Sequence, residues 1–230
     1  MTAKLLNKGQ WADYVSTILV SGSLWGFTEV VLGGAMAAAG LPYRSGVLTG
    51  LGMGIMAVAI GAFAKPAMLA GIALVAVLCK QLVVPILHVS IMCKANSCLA
   101  VMLDGFALLG VVSVFSRRLD SSYLVRAAVG ALAALSAAMA FFFVGMQVAP
   151  CKYLLSFNRP GGLMAFLTVE GLPWMLCSAL LFPAGYWIGK RLGDVVHVWR
   201  TDRPLLYYTI ATAILICCWG TSAAAIAAGL

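Results

Sequence analysis

The sequence predicts an all-α, polytopic integral membrane protein of about seven transmembrane helices, N-terminus inside, forming a single domain over residues 1–230. Three observations carry that expectation. First, 63% of the residues are hydrophobic and only 10% are charged, and the mean hydropathy is +1.03, far outside the range of soluble domains. Second, the apolar runs are about 20 residues or longer, the length a helix needs to cross the hydrocarbon core, and they lack the alternation of transmembrane strands. Third, basic residues concentrate in alternate connections, the pattern that sets orientation in a bilayer.

Residues 1–13 form a polar head with Lys4, Lys8, Trp11 and Asp13, in which Trp11 stands at an interfacial position. The first span covers residues 14–39 and carries Glu29; it has no small-residue cleavage site and is expected to stay as a span. The turn GLPYRS leads into a glycine-rich second span, residues 46–64. Lys65 and Pro66 turn the chain into the third span, residues 66–92, whose apolar run is interrupted by Lys80 and Gln81. Pro85 follows, where it removes a backbone donor and is expected to kink the helix toward a cavity. The fourth span, residues 98–115, holds Asp104, and the polar stretch SRRLDSSYLVR separates it from an alanine-rich fifth span, residues 123–148. APCKYLLSFNRPGG reads as a turn or a partly re-entrant loop. The sixth span, residues 162–188, carries Glu170 and Pro173; GKRLGDVVHVWRTDRP is expected as a charged loop before a seventh span at residues 205–228. With the N-terminus inside, the inner segments hold Lys4, Lys8, Lys65, Arg117, Arg118, Arg126, Lys190, Arg191, Arg200 and Arg203, against Arg44, Lys94, Lys152 and Arg159 outside.

That orientation puts Glu29, Lys80, Asp104 and Glu170 on four different helices, all between the midplane and the outer face. An ammonium at such depth needs an acid or water beside it. Lys80 is therefore expected to pair with at least one of the three acids, leaving up to two negative charges in an outward-facing pocket that favours a cationic ligand or neutralises one acid. The alternative is a structural ion-pair network that pins the helices together. Gln81 and His88 belong to the same segment as Lys80 and are counted with the pocket. Trp25 lies four residues before Glu29 and Trp174 four after Glu170, so each indole shares a helical face with its acid and is expected to wall the pocket. Tyr43 and Tyr153 stand at or above the same level, as pocket lining or as interfacial anchors.

Gly46, Gly50 and Gly54, and again Gly130, Ala134 and Ala138, form bare stripes at four-residue spacing for close helix approach, inside this chain or against a partner subunit. Cys93, Cys98 and Cys151 are expected near the outer surface, as a disulfide or as free thiols. The functional alternatives for them are a thiol relay, which would make the chain a membrane thiol–disulfide oxidoreductase, or a soft-metal site with His88. Cys79, Cys177, Cys217 and Cys218 read as small packing residues within spans. There is no GxxxxGK[ST], HExxH or GxSxG element, and with only His88 near a span a haem held by paired histidines is not expected. No cofactor is expected. The formal net charge of +8 reflects topology and attraction to membrane lipid headgroups, with no nucleic-acid partner.

GLPYRSGVLTGLGMG entering the second span, GVVSVFSRR ending the fourth, RPGGLMAF opening the sixth and GKR closing it together resemble the substrate-binding S components of energy-coupling-factor importers of vitamins and other micronutrients, over residues 14–193. The resemblance implies a six-helix core that takes its ligand from the outer side and docks small-residue faces on a transmembrane coupling subunit served by two ATPases. The span at residues 204–230 departs from that plan. Seven-span nickel and cobalt relatives carry a histidine directly after the initiating methionine; Thr2 stands there, so no metal specificity is carried over. The expected function is capture of a small cationic or polar micronutrient for uptake across the plasma membrane, and a stand-alone proton-coupled carrier is the nearest rival.

Overall fold

The structure, a computed structural model, describes residues 8–229, with side chains from Trp11 onward. The part of the expected polar head that contains Lys4 lies outside the described residues. Among the described residues there is no strand, and seven helices are long and apolar enough to cross a membrane. They are α1 (Trp11–Ala38), α2 (Arg44–Phe63), α3 (Met68–Leu87), α4 (Ile91–Arg118), α5 (Tyr123–Val148), α6 (Gly162–Asp202) and α7 (Pro204–Ala227). Six of them close into a ring in the order α1, α3, α4, α5, α6, α2, and α7 packs outside it against α1.

Glycine sets the ring. In lipid, helices gain little from burying apolar surface against one another and associate through close van der Waals contact. Along α2, a Cβ on Gly46 would meet Pro173 of α6, one on Gly50 would meet Cys177, and one on Gly54 would meet Leu181. The fit is reciprocal: a Cβ on Gly185 would fall 2.1 Å from the Gly54 carbonyl oxygen, and one on Gly189 would fall 2.2 Å from that of Val58. Gly130 of α5 lies against the Ser178 carbonyl of α6, and Gly22 and Gly26 of α1 lie against Val75 and Cys79 of α3. Both small-residue stripes are therefore used inside the chain. Away from the cavity, the ring is filled by fully buried Trp25, Met53, Met56, Ile72, Leu108 and Phe182.

Two helices depart from the sequence expectation. The third span ends at Leu87 rather than near residue 92, and it breaks after Lys80. Gln81 and Leu82 form a tight turn in which Val84 N bonds Gln81 O at 3.0 Å, so the carbonyl that Pro85 leaves free finds a nearer donor. His88 takes a left-handed conformation (φ 52°) that turns the chain into a short helical segment, Ile91–Lys94, leading into α4. The expected charged loop after residue 188 is instead helix: α6 runs unbroken to Asp202. At 1.5 Å per residue its 41 residues span about 60 Å, roughly twice the hydrocarbon thickness, so one end projects from the bilayer. No proline intervenes between Pro183 and Pro204 to stop it, and ion pairs hold it: Lys190 to Asp120 at 3.1 Å and Arg200 to Asp13 at 2.6 Å.

The last helix is more than an appendage. Trp219 Nε1 donates to Ser23 Oγ at 2.8 Å, Cys79 Sγ donates to Ser222 Oγ at 3.6 Å, and Ile226 packs with Val30 and Val83. It thereby fills the groove between α1 and the end of α3.

The α2–α6 seam generates a direct test. Gly189→Ala places a methyl against backbone that cannot move aside, and should lower the stability of the purified protein in mild detergent by about 1–3 kcal/mol. Gly110→Ala meets nothing within 4 Å and should leave it unchanged or raise it by up to about 1 kcal/mol. Equal melting curves for the two variants would refute the account of the seam.

Candidate functional site

At the end of the bundle away from the N-terminus the helices splay around a cavity of 710 Å³. Its wall takes residues from α1, α2, α3, α4, α5, α6 and the end of α7, and includes Glu29, Lys80, Asp104 and Glu170 together. Three of the four are delivered by a local irregularity or a helix end. Glu29 sits in a π-helical turn, Thr28–Leu32, and Glu170 in another, Leu167–Gly171. Such turns insert an extra residue into an α-helix and occur often at functional positions. Lys80 is the last residue before the break in α3, and Asp104 lies within α4 at 2% exposure.

Lys80 Nζ donates to Glu29 Oε2 at 2.5 Å, with both side chains almost fully shielded. Glu170 is held from two sides: Ser45 Oγ donates to Oε2, and Tyr153 Oη donates to Oε1 at 2.5 Å. Asp104 is served on one side only, by Thr49 Oγ1, which donates to Oδ2 at 3.2 Å. Asp104 Oδ1 and the buried indole nitrogen of Trp174 have no hydrogen-bond partner among the described residues, although both residues border the cavity. Neither atom has accessible surface of its own, and a buried polar atom without a partner costs on the order of 1–3 kcal/mol, so a partner that reached either from the cavity would recover energy. Trp174 packs against Phe141 with ring centroids 5.9 Å apart, and Phe166 lies 6.2 Å from Phe141, forming an apolar panel on the same wall.

The other residues expected at the pocket lie elsewhere. Trp25 is completely buried below it, with its indole against Gly52 of α2, about one helical turn from Glu29 along α1. Gln81 braces α3 against α4: its Nε2 donates to Cys98 Sγ at 3.3 Å and to Ile91 O at 3.4 Å. His88 is exposed on the turn beyond α3. Cys93, Cys98 and Cys151 are free and occupy separate settings: exposed, buried beside Gln81, and capping the turn Lys152–Leu155, where Sγ accepts from Leu154 N at 3.4 Å. Among the described residues no three His, Cys, Asp or Glu side chains come together as metal ligands.

Sequence reasoning counted Arg44 and Lys94 only as topology signals, yet both line the cavity, as do Thr49, Asn96 and Ser97. Their position was readable in one respect: they lie in connections on the same side as the acids. They alter the charge account. Three acids now face three bases, so the expected surplus of negative charge is not what the wall carries. Tyr43 and Tyr153, which had two readings, both line the cavity. The connection bearing Tyr153 is tied down by Asn96, whose Nδ2 donates to Ala149 O at 2.8 Å.

Searches of protein-family models, of curated proteins and of solved structures found no match to this chain.

Two predictions follow from the site's contacts. Breaking the Glu29–Lys80 pair by Lys80→Met leaves a shielded carboxylate alone and should destabilise the protein by about 3–5 kcal/mol, and the double variant with Glu29→Gln should recover much of that loss. Thermal unfolding of the single and double variants measures it; strictly additive losses would show that the two groups do not depend on each other. The second concerns pH. Partial burial and the hydrogen bond to Glu170 push the Tyr153 phenol above its usual value of 10.0. Because the folded state favours the protonated phenol, the contact contributes fully below pH 10.0 and is lost as the pH rises through the higher folded value. The phenolate absorbance lost in Tyr153→Phe should therefore appear late in an alkaline titration, and in Glu170→Gln it should move back toward 10.0.

Proposed function

We propose that this chain is a membrane-embedded solute-binding protein that captures a small polar or charged micronutrient in the cavity between its helix ends and delivers it for uptake, as the substrate-binding subunit of a multi-component transporter in the plasma membrane. The observation that carries the reading is the pair of buried, unpartnered polar atoms, Asp104 Oδ1 and Trp174 Nε1, on the wall of a 710 Å³ cavity. That volume is in the range of small-molecule pockets, and the mixture of an aromatic panel with a few convergent polar groups is their usual composition. The apolar filling beneath the cavity favours a binding protein over an open channel. The chain carries no nucleotide-binding phosphate loop, so on this reading energy comes from partner subunits. With the basic residues of the opposite end inside, the cavity faces outward.

The redox reading draws less support, because the three candidate thiols lie in three unrelated settings. The test is native mass spectrometry of the purified protein against Asp104→Asn and Trp174→Phe. A co-purified small molecule present in the wild type and lost from the folded variants is expected. If every form is empty while Cys93, Cys98 or Cys151 cycles between oxidised and reduced states under thiol labelling, solute binding gives way to thiol chemistry.

A further inference from the structure

The charges on the cavity wall differ in how far they are already answered. Glu29 and Lys80 neutralise each other. Glu170 is occupied by Ser45 and Tyr153 and sits beside the start of α2, where Arg44 precedes Ser45. What remains uncommitted is Asp104 at the buried end and Arg44 and Lys94 at the exposed end, neither of which has an ion-pair partner among the described residues. Lys94 precedes Asp104 by ten residues along the helical chain, about 15 Å. Arg44 precedes Thr49, the hydrogen-bond partner of Asp104, by five, about 7.5 Å. The two cationic residues thus start from backbone positions about 7.5 and 15 Å along their helices from Thr49 and Asp104, and Phe141, Phe166 and Trp174 line the same cavity.

From this arrangement we infer that the ligand is a zwitterion with its charges set apart: an ammonium seated on Asp104 Oδ1, a carboxylate at Arg44 and Lys94, and an apolar stretch on the aromatic panel. The inference rests on the solute-binding reading and names its substrate class. A simple cation would satisfy Asp104 and leave the rim unanswered. A simple anion would bind at the rim and leave the buried carboxylate without a donor, where the missing hydrogen bond is most costly. An α-amino acid carries both charges on neighbouring atoms and reaches only one end.

Four probes of one carbon-chain length separate these cases: ε-aminocaproate, its isomer norleucine, hexylamine and hexanoate, each titrated calorimetrically into the full-length protein in detergent. ε-Aminocaproate should bind about tenfold more tightly than each of the others, the size of one charge-assisted hydrogen bond. Asp104→Asn should erase its advantage over hexanoate, and the double variant Arg44→Gln, Lys94→Gln should erase its advantage over hexylamine. The double variant changes two exposed side chains, so it keeps the test alive should Asp104→Asn fail to fold. Hexylamine or norleucine binding as tightly as ε-aminocaproate overturns the inference, as does an advantage that survives both variants. Binding of none of the four also overturns it, while a co-purified molecule in the mass spectrum would leave the solute-binding reading standing.

Discussion

An ammonium group inside a membrane protein has to be answered, and the upper half of this structure is organised by the answer to Lys80. Glu29 meets it across the α1–α3 interface, and both partners sit where their helices are irregular: a π turn on α1, a break on α3. Such irregular backbone is tolerated at membrane depth where it borders a cavity rather than lipid. The second π turn, carrying Glu170, obeys the same constraint on the opposite wall. The pair fixes where the cavity begins, and the two distortions open the helices around it.

The lower half is governed by the opposite condition. Along α2 and α6 the glycines bring backbone against backbone, and in the absence of a hydrophobic force between helices in lipid this contact supplies much of the cohesion. Those contacts run from Gly46 past Val58, spanning the whole of α2, whereas α1 and α3 are held by fewer glycine contacts supplemented by polar ones to α7. The result is a bundle whose α2–α6 side is locked by sterics and whose α1–α3–α7 side is held by an ion pair and side-chain hydrogen bonds.

How far this was legible in the sequence follows from what each residue type can signal. Span number was legible because length and hydropathy suffice for it, and Lys80, Glu29, Asp104 and Glu170 stood out because charges are costly in apolar runs. The charged end of α6 was misread because a charged composition looks like a loop, while no proline between Pro183 and Pro204 stops the helix. Trp25 was misplaced because a shared helical face does not fix depth: a turn away from Glu29 its indole fills the core against Gly52 instead of reaching the cavity. Arg44 and Lys94 were legible as charges but not as wall residues, since their positions depend on how tight turns bring helix ends over one cavity.

The charges left unanswered give the cavity a direction. Where acids and bases alternate along a wall they satisfy one another and leave little for a ligand. Here Glu29 and Lys80 answer each other and Glu170 is held by two hydroxyls, while Asp104 keeps one unserved oxygen and Arg44 and Lys94 keep no ion-pair partner among the described residues. Burial makes the deep interaction stronger per contact, because water does not compete there, and the exposed cations act at longer range on an approaching charge. A molecule with a carboxylate and a separated ammonium is therefore guided by one end of the site and held by the other.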